Sequence, residues 1–517
     1  MTHPVDPRSL VGKFPAPREH AEVLVVGAGP AGTAAALEAA RLGARVKLVD
    51  ENPVAGALAG LDVPLFFGGR AGAALNDERR MLEQVLGSDP ALAECYEAGV
   101  DLALGTAAWG LFTHGPGLQT LPGPVVGLAD GAEAWLCGYD RLILATGARD
   151  LALFFEGADQ PGVMGAQALH ALLSTYDSFD GRRLVVLGSG DLAVAAAAEA
   201  LDRGLDVAAM VEVRDAPEAD VSALEARGVE VLTGTVIRAA ERGPFGVTAA
   251  VLLGPDGAGR RIACDTVCLA IDRVPSVELL EAAGGGLTID GTRGGHVPRL
   301  DGAASTLPNV SVAGDAAGLV PGTAADPAAA RASGTAAARA ALGHEAEPSA
   351  PAAGPDRHAY RLDWMRMLLA AGSPDVLACQ CEGVTRGDLL GVRPPRYLGA
   401  PANPRDLGTL LGDGPVNQDQ IKRLTRACMG ACQARRCREQ VAMVLALGAG
   451  VPLESVPLAG YRAPVRPLPL GLLGGLDEAQ AMRDGWDVWF GIPTQWVPYD
   501  DIGTEREAEH LRGNMHL

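Results

Sequence analysis

The sequence predicts an α/β chain with two similar modules of parallel sheet, followed by a small helical domain that carries cysteine. Three observations predict it. The order strand, Gly-rich turn, helix, strand occurs twice, with the turns beginning at residues 27 and 188. Each turn has the glycine spacing that lets a backbone approach a pyrophosphate. Five of the nine cysteines, Cys379, Cys381, Cys428, Cys432 and Cys437, fall in one late stretch. The first two observations read as two Rossmann-like dinucleotide-binding modules, and the third reads as a separate thiolate site.

The first module opens with Glu22–Val26, a short apolar strand. Gly27-Ala28-Gly29-Pro30-Ala31-Gly32 follows, then a helical stretch through Ala40 and a second strand over Arg45–Val49. Gly27 permits the tight turn, Gly29 allows the backbone to reach a pyrophosphate, and Gly32 lets helix and strand pack closely. Phosphate would sit with Ala31 at the helix N-terminus, where free N–H groups favour an anion. Asp50, with Glu51 beside it, ends the second strand 18 residues after Gly32, where an acid is expected to hold ribose hydroxyls. A ligand-free Gly-rich turn is the rival reading, but strand, glycines, helix and acid all agree.

Arg141–Ala145 is a further apolar strand, stopped by Thr146-Gly147, and Asn309–Val312 leads into Gly314-Asp315. The segments Leu144-Ala145-Thr146-Gly147-Ala148 and Val312-Ala313-Gly314-Asp315-Ala316-Ala317 resemble those of the two-dinucleotide-binding flavoproteins, similar in architecture to glutathione reductase. The resemblance implies FAD in the first site, with Asp315 a contact to its ribityl-pyrophosphate region. A helix N-cap is the structural alternative for Asp315. The chain departs from such relatives in having Ala55-Gly56-Ala57 where Gly-Gly is common. A plain adenine nucleotide such as ATP therefore stays open as the first site's ligand. No Cys-x-x-Cys stands by the first helix, so disulfide relay is not expected. Cys95, Cys137, Cys264 and Cys268 read as small buried hydrophobes.

The second module runs from the strand Arg183–Leu187 through Gly188-Ser189-Gly190-Asp191-Leu192-Ala193 and a helix over Ala193–Leu201 to a strand near Val207–Val211. By resemblance it is the NAD(P)-binding module inserted in the FAD domain. Glu212 stands where a ribose acid is expected and would favour NAD over NADP. Two features oppose an occupied site. Asp191 would face a dianionic pyrophosphate, and the segment Asp272-Arg273-Val274-Pro275 lacks the glycine that many relatives carry.

Gly343–Arg357 is rich in Pro, Ala and Gly and reads as a linker, followed by a helix over Tyr360–Leu369. Next come Cys379-Gln380-Cys381 and, some fifty residues on, Cys428-Met429-Gly430-Ala431-Cys432-Gln433-Ala434-Arg435-Arg436-Cys437. Thiolates are the soft ligands of iron–sulfur clusters, and a [2Fe-2S] cluster takes four. Tetrahedral zinc is the rival, but its usual C-x2-C knuckle is missing. Thr385 and Asp388 make a helix start after the first pair.

This stretch resembles the bacterioferritin-associated-ferredoxin-like [2Fe-2S] domain. More narrowly, Cys379–Thr385 and Thr425–Cys437 resemble the CxCExVT and TRxGMGPCQGRxC segments of one family. It comprises the flavoprotein (alpha/B-type) subunits of hydrogen cyanide synthase, opine oxidases and dye-linked proline and hydroxyproline dehydrogenases. The resemblance implies Cys379, Cys381, Cys432 and Cys437 as ligands. Cys428 and Ala434 stand where the family usually has Gly, and Ala431 where it has Pro; the spacer around Arg393–Gly414 is longer. Cys428 is a spare thiol or an alternative ligand.

The expected domains are 18–160 with 295–343 (FAD or nucleotide), 161–294 (NAD(P)-like), 344–372 (linker and helix), 373–460 ([2Fe-2S]) and 461–517 (tail). The tail carries Trp486, Trp489, Phe490 and Trp496, which read as wrapping onto the body or as a partner-docking cluster. A length of 517 residues allows two to four domains. The net charge of -20 disfavours nucleic acid and anionic membrane surfaces. No targeting segment and no uninterrupted apolar span are seen, so a cytoplasmic protein without direct membrane insertion is expected.

The family resemblance implies an oxidoreductase component of a hetero-oligomeric dye-linked dehydrogenase, acting on CH–NH or CH–NH2 donors. Substrate oxidation would fall to a D-amino-acid-oxidase-like flavoprotein partner. An FMN at a subunit interface and a small ferredoxin-like subunit belong to the same implication. The residues themselves show no catalytic base. Two alternatives are an NADH-dependent flavin and iron–sulfur reductase, and a scaffold subunit with a structural nucleotide.

Overall fold

The computed structural model describes residues 16–54, 69–72, 77–113, 124–320, 322, 327–346, 354–399, 405–476, 501, 503–507 and 509. Ala55-Gly56-Ala57 and the tail aromatics Trp486, Trp489, Phe490 and Trp496 lie outside them, as do parts of the linker and of the Arg393–Gly414 spacer.

The first module is a nine-stranded sheet whose parallel core has the order β12 (Val310–Val312), β4 (Ala134–Leu144), β1 (Glu19–Val26), β2 (Val46–Asp50), β3 (Asp101–Leu104). Val23–Val26 and Leu142–Leu144 are fully or almost fully buried, as continuous apolar strands covered on both faces should be. Helix α1 (Pro30–Arg41) starts with Gly29 as its N-cap and Pro30 in the first turn, where the missing N–H costs nothing. It lies against α3 (Ala328–Ala341), which returns from the far end of the module. The two helices meet so closely that a Cβ on Gly334 would stand 1.9 Å from the Ala31 carbonyl oxygen.

The second module is a five-stranded sheet, all parallel, in the order β9 (Glu230–Leu232), β8 (Asp206–Val211), β7 (Arg183–Leu187), β10 (Thr266–Leu269), β6 (Val163–Gly165). Its turn leads into α2 (Asp191–Asp202). An antiparallel three-stranded sheet (236–243, 246–253, 259–263) is inserted before β10. The two modules are joined by a short antiparallel pair, β5 (Ala148–Asp150) with β11 (Arg273–Pro275). Cys264 and Cys268, read from sequence as one apolar strand, flank a break at Asp265, and only Cys268 lies in a strand.

Helix α4 (Arg357–Ala371) begins three residues before the expected start, because Asp356 caps it by accepting from His358 N–H. The cysteine region follows: the two-stranded β13 (Leu377–Cys379) and β14 (Val384–Thr385), then α5 (Arg386–Leu390), α6 (Gln418–Thr425) and α7 (Arg438–Ala449). The expected helix start is a full capping box, with Thr385 Oγ accepting from Asp388 N–H and Asp388 accepting from Thr385 N–H. No helix among the described residues is long and apolar enough to cross a membrane.

Gly334→Ala should lower the thermal midpoint, since overpacking at a rigid backbone costs about 1–3 kcal/mol. Gly87→Ala, on a helix position with open space around it, should leave the midpoint unchanged or raise it. Thermal unfolding of both variants followed by circular dichroism checks this; equal shifts would mean that the α1–α3 approach is not tight.

Candidate functional site

Gly27 adopts φ +105°, and a Cβ there would lie 2.2 Å from the Ala145 carbonyl oxygen. A Cβ on Gly32 would lie 1.7 Å from the Gly27 carbonyl oxygen. Both glycines serve close packing. Gly29 differs, because a Cβ there would meet nothing within 4 Å. It faces open space in front of the α1 N-terminus, where an anion is favoured.

That space belongs to a cavity of about 810 Å³. Gly27, Gly29, Ala31, Asp50, Glu51, Thr146, Gly147, Gly314 and Asp315 all line it, whereas Gly32 serves the packing beneath. Gly314 has φ +64°, and its bare Cα passes so close to Ala31 that a Cβ would stand 2.7 Å from that side chain. Thr146 Oγ donates to Ser276 O at 2.7 Å and fixes the turn between modules.

Asp50 braces the Gly-rich turn. One carboxylate oxygen accepts from Ala28 N–H at 2.6 Å, the other from Asn52 N–H at 2.8 Å. Burial raises its pKa, against the pull of those hydrogen bonds. Glu51 pairs with Arg466 at 2.9 Å, so the tail returns to the first module. Asp315 pairs with Arg273 across the cavity. It does not cap a helix: Ala313 holds that position and Asp315 lies inside the following 3-10 turn.

The same cavity reaches Cys432, Arg435 and Arg436. Sequence reasoning did not find its cationic wall, Arg149, Arg273, Arg435 and Arg436, because three segments far apart in sequence supply it. Asp150 also lines it, accepting from Gln167 N–H at 3.0 Å and Ala168 N–H at 3.3 Å. Burial outweighs these bonds and pushes its carboxyl up to about 6.

The five late cysteines meet. Cys381 Sγ lies 3.9 Å from Cys379 Sγ and 3.6 Å from Cys432 Sγ, and Cys437 Sγ lies 3.6 Å from Cys428 Sγ. Cys379 and Cys432 are held toward the thiolate, in each case first by hydrogen bonding from Cys381 and then from Cys437. Cys381 is exposed and the other four are buried. Gly430 is needed here, since a Cβ would stand 2.4 Å from Cys381 Sγ. Among the described residues no three or more His, Cys, Asp or Glu side chains are disposed around a single ion. Cys95, Cys137 and Cys264 are buried apart from this group, and burial pushes them up to about 11, 12 and 11.

The second turn is built like the first and is covered. Gly188 has φ +106° and packs on the Ala270 carbonyl. Beside Gly190 a Cβ would already find Arg357 Nη2 at 3.9 Å. Glu212 is fully buried. Its carboxylate accepts from Ser189 Oγ at 2.5 Å, Tyr360 OH at 2.8 Å and Arg214 N–H at 3.0 Å. Arg357 stacks 4.2 Å over the Tyr360 ring and pairs with Glu218 at 2.9 Å. Arg361 donates to Asp272 at 2.7 Å. Burial works to raise the Asp272 carboxyl, but Arg361 and Arg357 outweigh it and hold it below the usual range. Helix α4 therefore occupies the face that Gly188, Gly190 and Glu212 were expected to offer a dinucleotide, and none of the three lines the large cavity. Asp191 is exposed at the start of α2.

Comparison with known proteins fits this geometry. The model of the pyridine nucleotide-disulphide oxidoreductase family matches residues 21–341, more than half of the chain, and the chain belongs to that family. It is 28% identical over 499 residues to the opine oxidase A-subunit of Agrobacterium tumefaciens (strain Ach5), covering 89% of this chain and 93% of that one. It is 32% identical over 297 residues to the sarcosine oxidase alpha-subunit of Corynebacterium sp. (strain P-1), covering 54% of this chain and 29% of that longer one. A solved structure of L-proline dehydrogenase from P. horikoshii shares the fold, with TM-score 0.58 and 22% identity over 88% of this chain and 80% of that one.

Two outcomes are expected. Tyr360→Phe removes one donor from buried Glu212 and should cost about 1–3 kcal/mol, read by denaturant unfolding; no loss would mean that α4 is not seated on the second module. Asp150→Asn tests the raised carboxyl. The folded state prefers Asp150 protonated, so the ionised form is a penalty absent below the ordinary value of 3.8, growing toward pH 6 and constant above. The stability of Asp150→Asn relative to wild type should therefore rise with pH across that window, by about 3 kcal/mol at most, and a flat difference would contradict the shift.

Proposed function

We propose that this member of the FAD-binding pyridine nucleotide-disulphide oxidoreductase family is the electron-transferring flavoprotein and iron–sulfur subunit of a hetero-oligomeric dye-linked dehydrogenase. The complex oxidises an amino acid, imino acid or secondary amine, and a D-amino-acid-oxidase-like partner subunit carries out that oxidation. Similarity to the opine oxidase A-subunit over nearly the full length of both chains supports the subunit role. A single observation carries the electron-transfer reading: one cavity runs from the Gly-rich turn, past Asp315 and Arg273, to Cys432.

The residues present fit both groups. FAD would be held by Gly29 and the α1 N-terminus at its pyrophosphate, with Thr146, Gly147 and the Asp315 region along the rest. Cys379, Cys381, Cys432 and Cys437 supply four sulfurs in neighbouring pairs, the donor set of a [2Fe-2S] cluster. A flavin converts two-electron into one-electron transfer, and a [2Fe-2S] cluster carries electrons singly. The chain's own part is to hold the two sites together. Arg273, Arg435 and Arg436 put positive charge along the route, which favours an electron-rich ligand. Exposed Cys381 marks the edge facing a small ferredoxin-like acceptor. An FMN at the interface with the oxidising partner belongs to the same reading.

The NADH-reductase alternative fares worse, because α4 covers the second turn and Tyr360 holds Glu212. We assign no NAD to that module.

An anaerobic absorption spectrum of the purified chain tests this. Flavin and iron–sulfur bands should be present, unchanged by NADH and bleached by dithionite. Bleaching by NADH would install the reductase reading, and absence of both chromophores would leave a scaffold subunit.

A further inference from the structure

Among the described residues, four of the seven non-glycine residues at positive φ fall within nine positions of the cysteine loop: Arg426 (63°), Cys428 (69°), Gln433 (52°) and Ala434 (64°). A side chain in this region costs about 1–2 kcal/mol relative to glycine. The similar segments of the resembled family have Gly at the positions of Cys428 and Ala434. Cys428 therefore keeps a sulfur where the backbone would be easier without a side chain.

That sulfur is placed among ligands. It lies 3.6 Å from Cys437 Sγ and is 3% exposed. Cys428 N–H donates to the Cys379 sulfur, so the residue is already part of the thiol cage. Gln418, fully buried, directs Nε2 at Cys428 Sγ at 3.6 Å while donating to Arg438 O at 2.7 Å and accepting from Ala459 N–H at 2.7 Å. Its amide is thus fixed, with an N–H presented to the Cys428 sulfur. The buried cysteines outside the group have no such setting. Cys95 and Cys137 sit in a helix and a strand, and none of the four has positive φ.

We propose that Cys428 is a reserve ligand of the thiolate site, able to take the iron bond of Cys437 when that sulfur is lost. This rests on the [2Fe-2S] reading above. The exchange is redox-neutral: the iron bond to Cys437 breaks and that sulfur takes up one proton, while Cys428 gives up one proton and forms one iron–sulfur bond, so the number of thiolate ligands stays at four.

The test uses the full chain, produced anaerobically, as wild type, Cys428→Ala, Cys437→Ser, Cys437→Ala and the double variant Cys428→Ala/Cys437→Ala. Iron and sulfide per chain are measured, with electron paramagnetic resonance after dithionite. Cys428→Ala should match wild type. Both Cys437 variants should keep wild-type iron with a shifted resonance, and the double variant should hold roughly ten-fold less. Cys437→Ser keeps the shape of the side chain, and circular dichroism with bound nucleotide reports the fold independently. Folded Cys437 variants that lose iron as fully as the double variant would overturn the proposal. A wild type without iron–sulfur signal would instead overturn the reading it rests on.

Discussion

One largely buried guanidinium joins the two nucleotide modules to the cysteine loop. Arg149, on the strand linking the two modules, donates to Arg435 O at 2.8 Å, Pro275 O at 3.2 Å and Tyr461 OH at 3.2 Å. It pairs with Glu278 and with Glu439, each at 2.7 Å. Burial alone would lower its charge state, but Glu278 and Glu439 more than offset this. Glu439 is held below the usual carboxylate range: burial opposes this, and Arg149 and Arg438 outweigh it. Because Arg435 lies between Cys432 and Cys437, this one side chain sets the cysteine loop against the cavity. A planar five-donor group suits such a junction, and lysine could not replace it.

The two Gly-rich turns show how little of a site lies in its motif. Both have a first glycine at φ near +105° packed on a carbonyl, and both open a helix of twelve residues. What separates them is the neighbour. Gly29 faces open space, while Gly190 faces Arg357. The acid after the second strand differs as well: Asp50 braces its turn beside a cavity, whereas Glu212 is buried under a tyrosine from a helix 148 residues away in sequence.

Local signals are therefore legible and long-range ones are not. Strand Arg183–Leu187 can be read to its bounds, and the Thr385–Asp388 capping box is visible, because both depend on adjacent residues. The α4 helix is visible too, but nothing in its periodicity says that Tyr360, Arg357 and Arg361 seat it on the second module. The gathering of five thiols follows from residue type and spacing. The arginines of the cavity wall do not, since Arg149, Arg273 and Arg435 are brought together by chain crossings. The left-handed backbone at Cys428 and Ala434 gives a physical reason for glycine at the matching family positions, which sequence alone records only as a difference.

The cysteine region is also bound to the nucleotide modules at its two ends. Before it, α4 is locked to the second module through Tyr360 and Arg361. After it, Val465 N–H donates to Trp109 O at 2.8 Å and Arg466 pairs with Glu51, both on the first module. A segment anchored at entry, middle and exit cannot swing like the mobile carrier domains that shuttle between donor and acceptor. In the proposed electron-transfer role, traffic would cross a fixed gap, with the rate set by the packing between two stationary sites and not by the search of a tethered arm.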